Sequence, residues 1–408
     1  MLVLSVRRLA PALITLALAC ALLAVAAPPS QALDTATLRA QLSREMRRAG
    51  PFAGAYVRDL DAGTGLYARK ENVARPPASV EKLYTTSTAL LRFGADARLH
   101  TSVLATGALD AQGVWRGDLY LRGGGDPTLG QAQIVALASA LATQFGIVRV
   151  DGSVLGDESV FDSLRGSART GFAFDRAIGG VLSGVAVARG FSRNGAGPAK
   201  DAAQRLAKAL RADGVPVDGS SEAGTAPPEA RELTGIDSPP MADLIRLTNV
   251  PSDNFDAEML LKGLGAHFGG AGTTPAGAAV VRAQLASFGI HPRIVDGSGL
   301  SRADRTTPRQ VVRLIELMDG QPAGPAFEAS FPVAGRTGTL RKRMRGTIAQ
   351  DRCHAKTGTL LAVSALAGWC DTTGGHRVAF AILMETARIT RAHGIQDRIT
   401  RAIATYGS

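Results

Sequence analysis

The stretch Pro76-Pro77-Ala78-Ser79-Val80-Glu81-Lys82-Leu83-Tyr84 sets the reading of this chain. The proline pair ends an extended segment, and a helix is predicted from near Ser79 to Phe93, closed by Gly94. Residues three apart share a helical face, so Lys82 stands beside the Ser79 hydroxyl. Ser79 falls in the first turn, where unpaired amides and the helix dipole favour developing negative charge. A serine needs an adjacent base to become a nucleophile, and a desolvated, neutral lysine is one. The spacing alone recurs by chance, since an N-cap serine with a solvated lysine gives the same letters.

Two further elements change its weight. Ser252-Asp253-Asn254 follows Pro251 on a loop between predicted helical segments. A hydroxyl there relays a proton, and an amide binds a peptide carbonyl. Lys356-Thr357-Gly358-Thr359 lies on an alternating strand followed by another. Its lysine offers a positive charge to a terminal carboxylate, and Gly358 lets a substrate backbone approach the strand edge. Singly these are a helix-capping loop and a hairpin turn. In this order, at a helix start, an interhelical loop and a late strand, they form a set for nucleophilic acyl transfer. Arg336-Thr337-Gly338-Thr339 resembles the third element. It runs into Leu340-Arg341-Lys342-Arg343-Met344-Arg345, too charged for a buried strand, so Lys356 is assigned instead.

Working outward, the 408 residues suffice for two or three domains. Residues 1–32 read as an export leader. Arg7 and Arg8 precede an apolar run over 9–27, and Ser30-Gln31-Ala32 offers a small-x-small cleavage site. A retained anchor is the alternative, and the Pro28-Pro29 break argues for cleavage. An amphipathic helix is predicted over 33–50, then strands at 55–60 and 66–70. Between about 100 and 235 the texture changes to strands at 101–106, 118–122 and 148–155 and helices at 131–144 and 199–212. From about 239 helices dominate (241–247, 257–264, 276–288, 308–318). Strands at 352–357, 363–370 and 377–385 and a helix at 391–406 end the chain. A strand pair at the front and three strands at the back predict one sheet built from both ends, in a catalytic domain of 33–100 plus 236–408, with 101–235 inserted.

The formal net charge is +11. No recognition helix, zinc spacing or aromatic–basic ladder points to nucleic acid, so this charge is either simple solubility or peripheral contact with an anionic wall or membrane surface. None of the six histidines sits in H-E-x-x-H spacing, which argues against a zinc peptidase; no metal or cofactor is expected. No G-x-S-x-G elbow occurs. His354 reads as a flank of Lys356 rather than a base, and Gly123-Gly124-Gly125 as a turn. Two cysteines remain after the leader. If 352–357 and 363–370 are arms of one hairpin turning between Leu361 and Ala362, Cys353 faces Cys370 within disulfide reach.

With these elements in hand, the chain resembles the class C low-molecular-mass penicillin-binding proteins, the D-alanyl-D-alanine carboxypeptidase/endopeptidases. The resemblance spans most of the mature chain and includes residues 117–129, Asp296-Gly297-Ser298-Gly299-Leu300-Ser301 and Phe331-Pro332-Val333-Ala334-Gly335. It implies an α/β, penicillin-binding/β-lactamase-like transpeptidase fold, an antiparallel sheet between helices with an inserted smaller mixed α/β domain. It implies Ser79 as nucleophile, Lys82 as acylation base, Ser252 as proton relay assisted by Lys356, Asn254 as substrate ligand, and the Ser79 and Thr359 amides as oxyanion hole. Peptidoglycan stem peptides are the implied substrates, and β-lactams the acylating inhibitors. One departure stands out: the interval from Ser79 to Ser252 is shorter than in the family, with the shortfall near residues 186–197. The rivals are a β-lactamase, for which no deacylating carboxylate is identified, and a catalytically silent wall-binding scaffold.

Overall fold

The computed structural model describes residues 32–192, 195–386 and 388–407; the expected leader, apart from Ala32, lies outside them. From Ala32 onward the chain forms one compact unit. Asp34 accepts from the Thr37 amide and opens the helix Thr35–Ala49, which Gly50 closes at φ 90°. The chain then enters the strands Ala53–Asp59 and Thr64–Arg69. These join the C-terminal strands Cys353–Leu360, Val363–Asp371 and Arg377–Glu385. Every pairing in this five-stranded sheet is antiparallel, and Ala53–Asp59 meets Arg377–Glu385 at its centre. One sheet is thus assembled from both ends of the chain.

Alternation along Val363–Asp371 shows how both faces are buried. Ala365, Ala367 and Trp369 join the core under the helices Lys82–Phe93, Met241–Asn249, Asn254–Phe268 and Pro308–Asp319. Leu366 and Cys370 point the other way, against Leu38, Leu42 and Met46 of the first helix and Ile395, Ile399 and Ile403 of the last, Ile389–Ala404. Cys353 and Cys370 are directly paired, with Cα atoms 4.0 Å apart and their sulfurs bonded. The hairpin between them turns at Leu361 and Ala362.

A second five-stranded sheet runs in the order Arg231–Asp237, His100–Ala105, Leu119–Arg122, Val154–Asp157, Ser221–Ala223. Its last two pairings are parallel, and the helices Gln131–Thr143 and Pro198–Ala212 pack on it. Two expectations need correction here. The strand read over 148–155 is two strands, Arg149–Val150 and Val154–Asp157, in different sheets. The chain breaks at Gly152, where a Cβ would lie 2.2 Å from the Gly117 carbonyl oxygen. The helix expected from Ser79 starts instead with a 3₁₀ turn, Ala78–Glu81, and becomes α-helical at Lys82.

Candidate active site

Ser79 sits on that 3₁₀ turn, just after Ala78, which holds a left-handed φ of 48°. The strand Cys353–Leu360 passes directly against it. A Cβ on Gly358 would lie 2.5 Å from the Pro77 carbonyl oxygen and 3.1 Å from the Ser79 nitrogen. Only glycine lets the strand bring the Thr359 backbone this close to the nucleophile. Ser252 also has a left-handed backbone, φ 67°, on the turn before the helix Asn254–Phe268. Single residues of this kind cost about 1–3 kcal/mol each and persist where surrounding structure fixes them.

The side chains converge in two groups. Lys82 is fully buried, and its Nζ lies 3.2 Å from Ser79 Oγ, 2.7 Å from Asn254 Oδ1 and 2.7 Å from the Ser298 carbonyl oxygen. Lys356, also fully buried, donates from Nζ to Ser252 Oγ at 2.7 Å and to the Thr357 carbonyl at 3.0 Å. The structure therefore brings Ser79, Lys82 and Asn254 into one hydrogen-bonded set and Ser252 with Lys356 into another. Burial lowers the Lys82 pKa to about 8, against the opposing pull of Asp296 and Glu258. Burial, and then the charge of Lys82, push Lys356 well below the ordinary lysine range.

The neutral amine has two N–H groups and one lone pair. Asn254 Oδ1 and the Ser298 carbonyl are acceptors and must take the two N–H groups. The Asn254 amide is fixed in this sense because its Nδ2 donates to the Ala177 carbonyl at 2.8 Å. The lone pair is left facing Ser79 Oγ, the geometry a general base needs.

Several contributors were given no catalytic role from the sequence, and Glu258 and Arg189 were not named there. Glu258, one turn beyond Asn254 on the same helix, accepts through Oε1 from the Gly297 and Ser298 amides at 3.1 and 2.9 Å. It thereby holds the Ser298 carbonyl at Lys82. Burial, then Asp296, raise its pKa to about 8. Asp296 in turn accepts from the Gly299 and Ser301 amides, both at 2.7 Å. Glu81 is fully buried, its carboxyl raised well above the usual range by burial and by Asp304 and Asp296. Arg189 pairs with Asp253 at 2.8 Å and lies over the Phe255 ring, bracing the Ser252–Asn254 loop. The helical spacing of Asn254 and Glu258, and the family-like stretch Asp296–Ser301, were the signals available in the sequence.

The disfavoured Arg336–Thr339 stretch contributes one atom. Arg336 is held by both oxygens of Asp351, at 2.5 and 2.9 Å. Thr339 Oγ1, however, lies 2.8 Å from Thr357 Oγ1. His354 stacks on Trp369 at 5.1 Å, consistent with a flanking role. Among the described residues, Asp59, Asp61 and His376 form a group with metal-ligand spacing, but Asp59 already lies 2.9 Å from His376, and Asp61 accepts from the Arg377 amide.

The chain is 30% identical to the D-alanyl-D-alanine carboxypeptidase of Actinomadura sp. (strain R39) over 445 aligned positions, covering 88% of this chain and 82% of that one. It is 30% identical to Carboxypeptidase DacB of Mycolicibacterium smegmatis, covering 86% and 80%. Penicillin binding protein 4 (dacB) from Haemophilus influenzae shares the fold, with a TM-score of 0.77 at 20% identity over 90% of this chain and 99% of that one. Residues 34–172 and 175–406 match the model of the D-Ala-D-Ala carboxypeptidase 3 (S13) family, and the chain belongs to that family.

Proposed function

We propose that the chain is a serine-type D-alanyl-D-alanine carboxypeptidase/endopeptidase acting on peptidoglycan stem peptides through a Ser79 acyl-enzyme. The observation that carries this is the set of three contacts at Lys82 Nζ, two of which can only accept and so leave the lone pair to Ser79. Ser79 Oγ attacks the carbonyl carbon of the penultimate D-Ala while its proton passes to Lys82. The oxyanion forms against the Ser79 and Thr359 amides. The C–N bond breaks as the leaving amine takes a proton relayed by the Ser252 hydroxyl. Water then hydrolyses the ester. Lys82 gives up the proton it took from Ser79 to refill the Ser252 relay; Lys356, hydrogen-bonded to Ser252, assists that relay and pairs as a cation with the terminal carboxylate, and Asn254 binds the substrate amide. A β-lactam opens by the same attack and stays as an acyl adduct. No metal or organic cofactor enters any step.

Residues 1–32 serve as an export leader on this reading, which places the enzyme in the periplasm or cell-wall space. Residues 101–235 form an insert between the two catalytic segments and are shortened. The 445 aligned positions with the Actinomadura protein, more than this chain's 408 residues, support an omission. The test is labelling with a fluorescent penicillin, timing loss of label, and measuring D-Ala release from a stem-peptide mimic. A lasting label with D-Ala release is the expected result. A rapidly lost label means a β-lactamase, and no label means a scaffold. Ser79→Ala abolishes the label without unfolding; a stable adduct on that variant would remove Ser79 from its role.

A further inference from the structure

A second charged site lies across the sheet from the nucleophile, where the first helix ends, the last helix begins and the strand Arg377–Glu385 finishes. A cleft of about 180 Å³ opens there, lined by Arg48, Arg388 and Arg391 with Thr386, Ala392 and Ile395. Its cations are weakly neutralised. Arg48 pairs with Glu45, but Glu45 also takes Arg398. Among the described residues Arg391 donates only to the Arg48 carbonyl, and neither Arg388 nor Arg391 has a carboxylate partner. Arg69 reaches the Gly50 carbonyl at 3.0 Å and adds a further cation behind the cleft. The wider layer has the same sign: the two helices carry seven arginines against two acids, Glu45 and Asp397.

Two of the most exposed apolar side chains flank this cleft. Phe52, 67% exposed, follows the first helix, and its carbonyl accepts from the Glu385 amide. Leu361, 89% exposed, is at the hairpin tip, where the adjoining Ala362 carbonyl accepts from Thr386. A guanidinium fork matches a phosphate bidentately. A soluble polyanion would use the arginines alone and leave the apolar tips in water. A bilayer interface uses both, taking phosphates at the arginines and inserting the tips between headgroups.

We propose that this end of the sheet docks on an anionic phospholipid surface, with a headgroup phosphate in the Arg48–Arg388–Arg391 cleft and Phe52 and Leu361 in the interface. The contact is independent of the acylation chemistry and holds whatever the substrate proves to be. It is peripheral and reversible by salt, because exposed charges supply most of it.

The test uses the compact unit from Ala32 onward, so that the apolar run over 9–27 cannot contribute. Vesicles of phosphatidylcholine, alone or mixed with phosphatidylglycerol, are sedimented with the protein at low and high salt. Binding is expected only to the mixed vesicles at low salt. Each arginine near the surface contributes about fivefold, so the double reversal Arg388→Glu/Arg391→Glu weakens binding by well over tenfold. Phe52→Ser weakens it as well, while Lys208→Glu, on the inserted module, leaves it unchanged. Penicillin acylation rates, unaltered in all variants, confirm folding. Vesicle binding that survives the double reversal overturns the proposal. So does binding of a soluble polyphosphate that depends on the two arginines but not on Phe52, which would make the cleft a soluble-anion site.

Discussion

The Ser298 carbonyl oxygen lies 2.7 Å from Lys82 Nζ, and with Asn254 Oδ1 it occupies both N–H groups of the neutral amine. The base is therefore oriented before any substrate arrives. It is competent only when neutral, and burial places that transition at about 8. Because the folded-state pKa is depressed from 10.5, the base form gains population as pH rises through 8. The second-order rate constant for penicillin acylation should fall about tenfold per pH unit below that point. Stopped-flow or quenched labelling between pH 5 and 9 measures it. A flat profile would exclude Lys82 as the proton acceptor.

Glu258 should act on the reaction only through this geometry, as a positioning residue. Glu258→Ala releases the Gly297 and Ser298 amides and, with them, the carbonyl that orients Lys82. A misplacement on the order of 1 Å costs about a hundredfold, which is the expected fall in the acylation plateau. Glu258→Gln keeps a carbonyl acceptor for both amides and should retain the plateau within a few-fold. It removes a carboxylate whose charge raises the Lys82 pKa, so the acidic limb should move to lower pH. A merely structural glutamate would lower the melting temperature of both variants and leave the pH profile of the active fraction unmoved.

The substrate carboxylate separates Lys356 from Arg336. A charge-assisted hydrogen bond contributes roughly 1.5–3 kcal/mol, so Lys356→Ala should lower kcat/KM for D-Ala release by about ten- to a hundredfold. Arg336 is spent on Asp351, and Arg336→Ala should change kcat/KM by less than about threefold, the scale of an exposed ion pair. Steady-state kinetics on a stem-peptide mimic with a free C-terminus decide this. A larger loss at position 336 would reverse the assignment of the third element.

The sequence made legible whatever rests on local pattern. Ser79 with Lys82 and the alternating strands around Lys356 follow from spacing within a few residues. Contacts made by distant backbone were not legible. Ser298 serves through its carbonyl, which any residue type supplies, so nothing in its side chain marked it. Glu258 is one acid on a helix buried all round, and its role depends on a loop some forty positions away in the chain. Thr339 entered the site although its segment was disfavoured, because the argument against that segment concerned strand formation, not proximity to Thr357. The strand Arg231–Asp237 was missed for a related reason. It is a sheet edge with a polar, half-exposed pattern, and only its pairing with His100–Ala105 identifies it.

The Cys353–Cys370 bridge ties the strand bearing Lys356 to its neighbour three residues before the lysine. The cysteines are 17 residues apart, and a loop of that size is stabilised by about 3 kcal/mol in the chain-entropy model. Denatured protein from Ala32 onward should titrate no thiols without reductant and two with it; two in the unreduced sample would remove the bridge from the native state. The double variant Cys353→Ala/Cys370→Ala should melt several degrees lower, because it loses the restraint on the unfolded chain together with buried volume under Leu366 and the last helix. Eight backbone pairings already fix the register of the hairpin, from Cys353 with Cys370 to Leu360 with Val363. At 25 °C, well below its transition, the variant should therefore keep its penicillin acylation rate within a few-fold. A large loss of rate without a change in melting temperature would instead mean that the bridge places Lys356 directly.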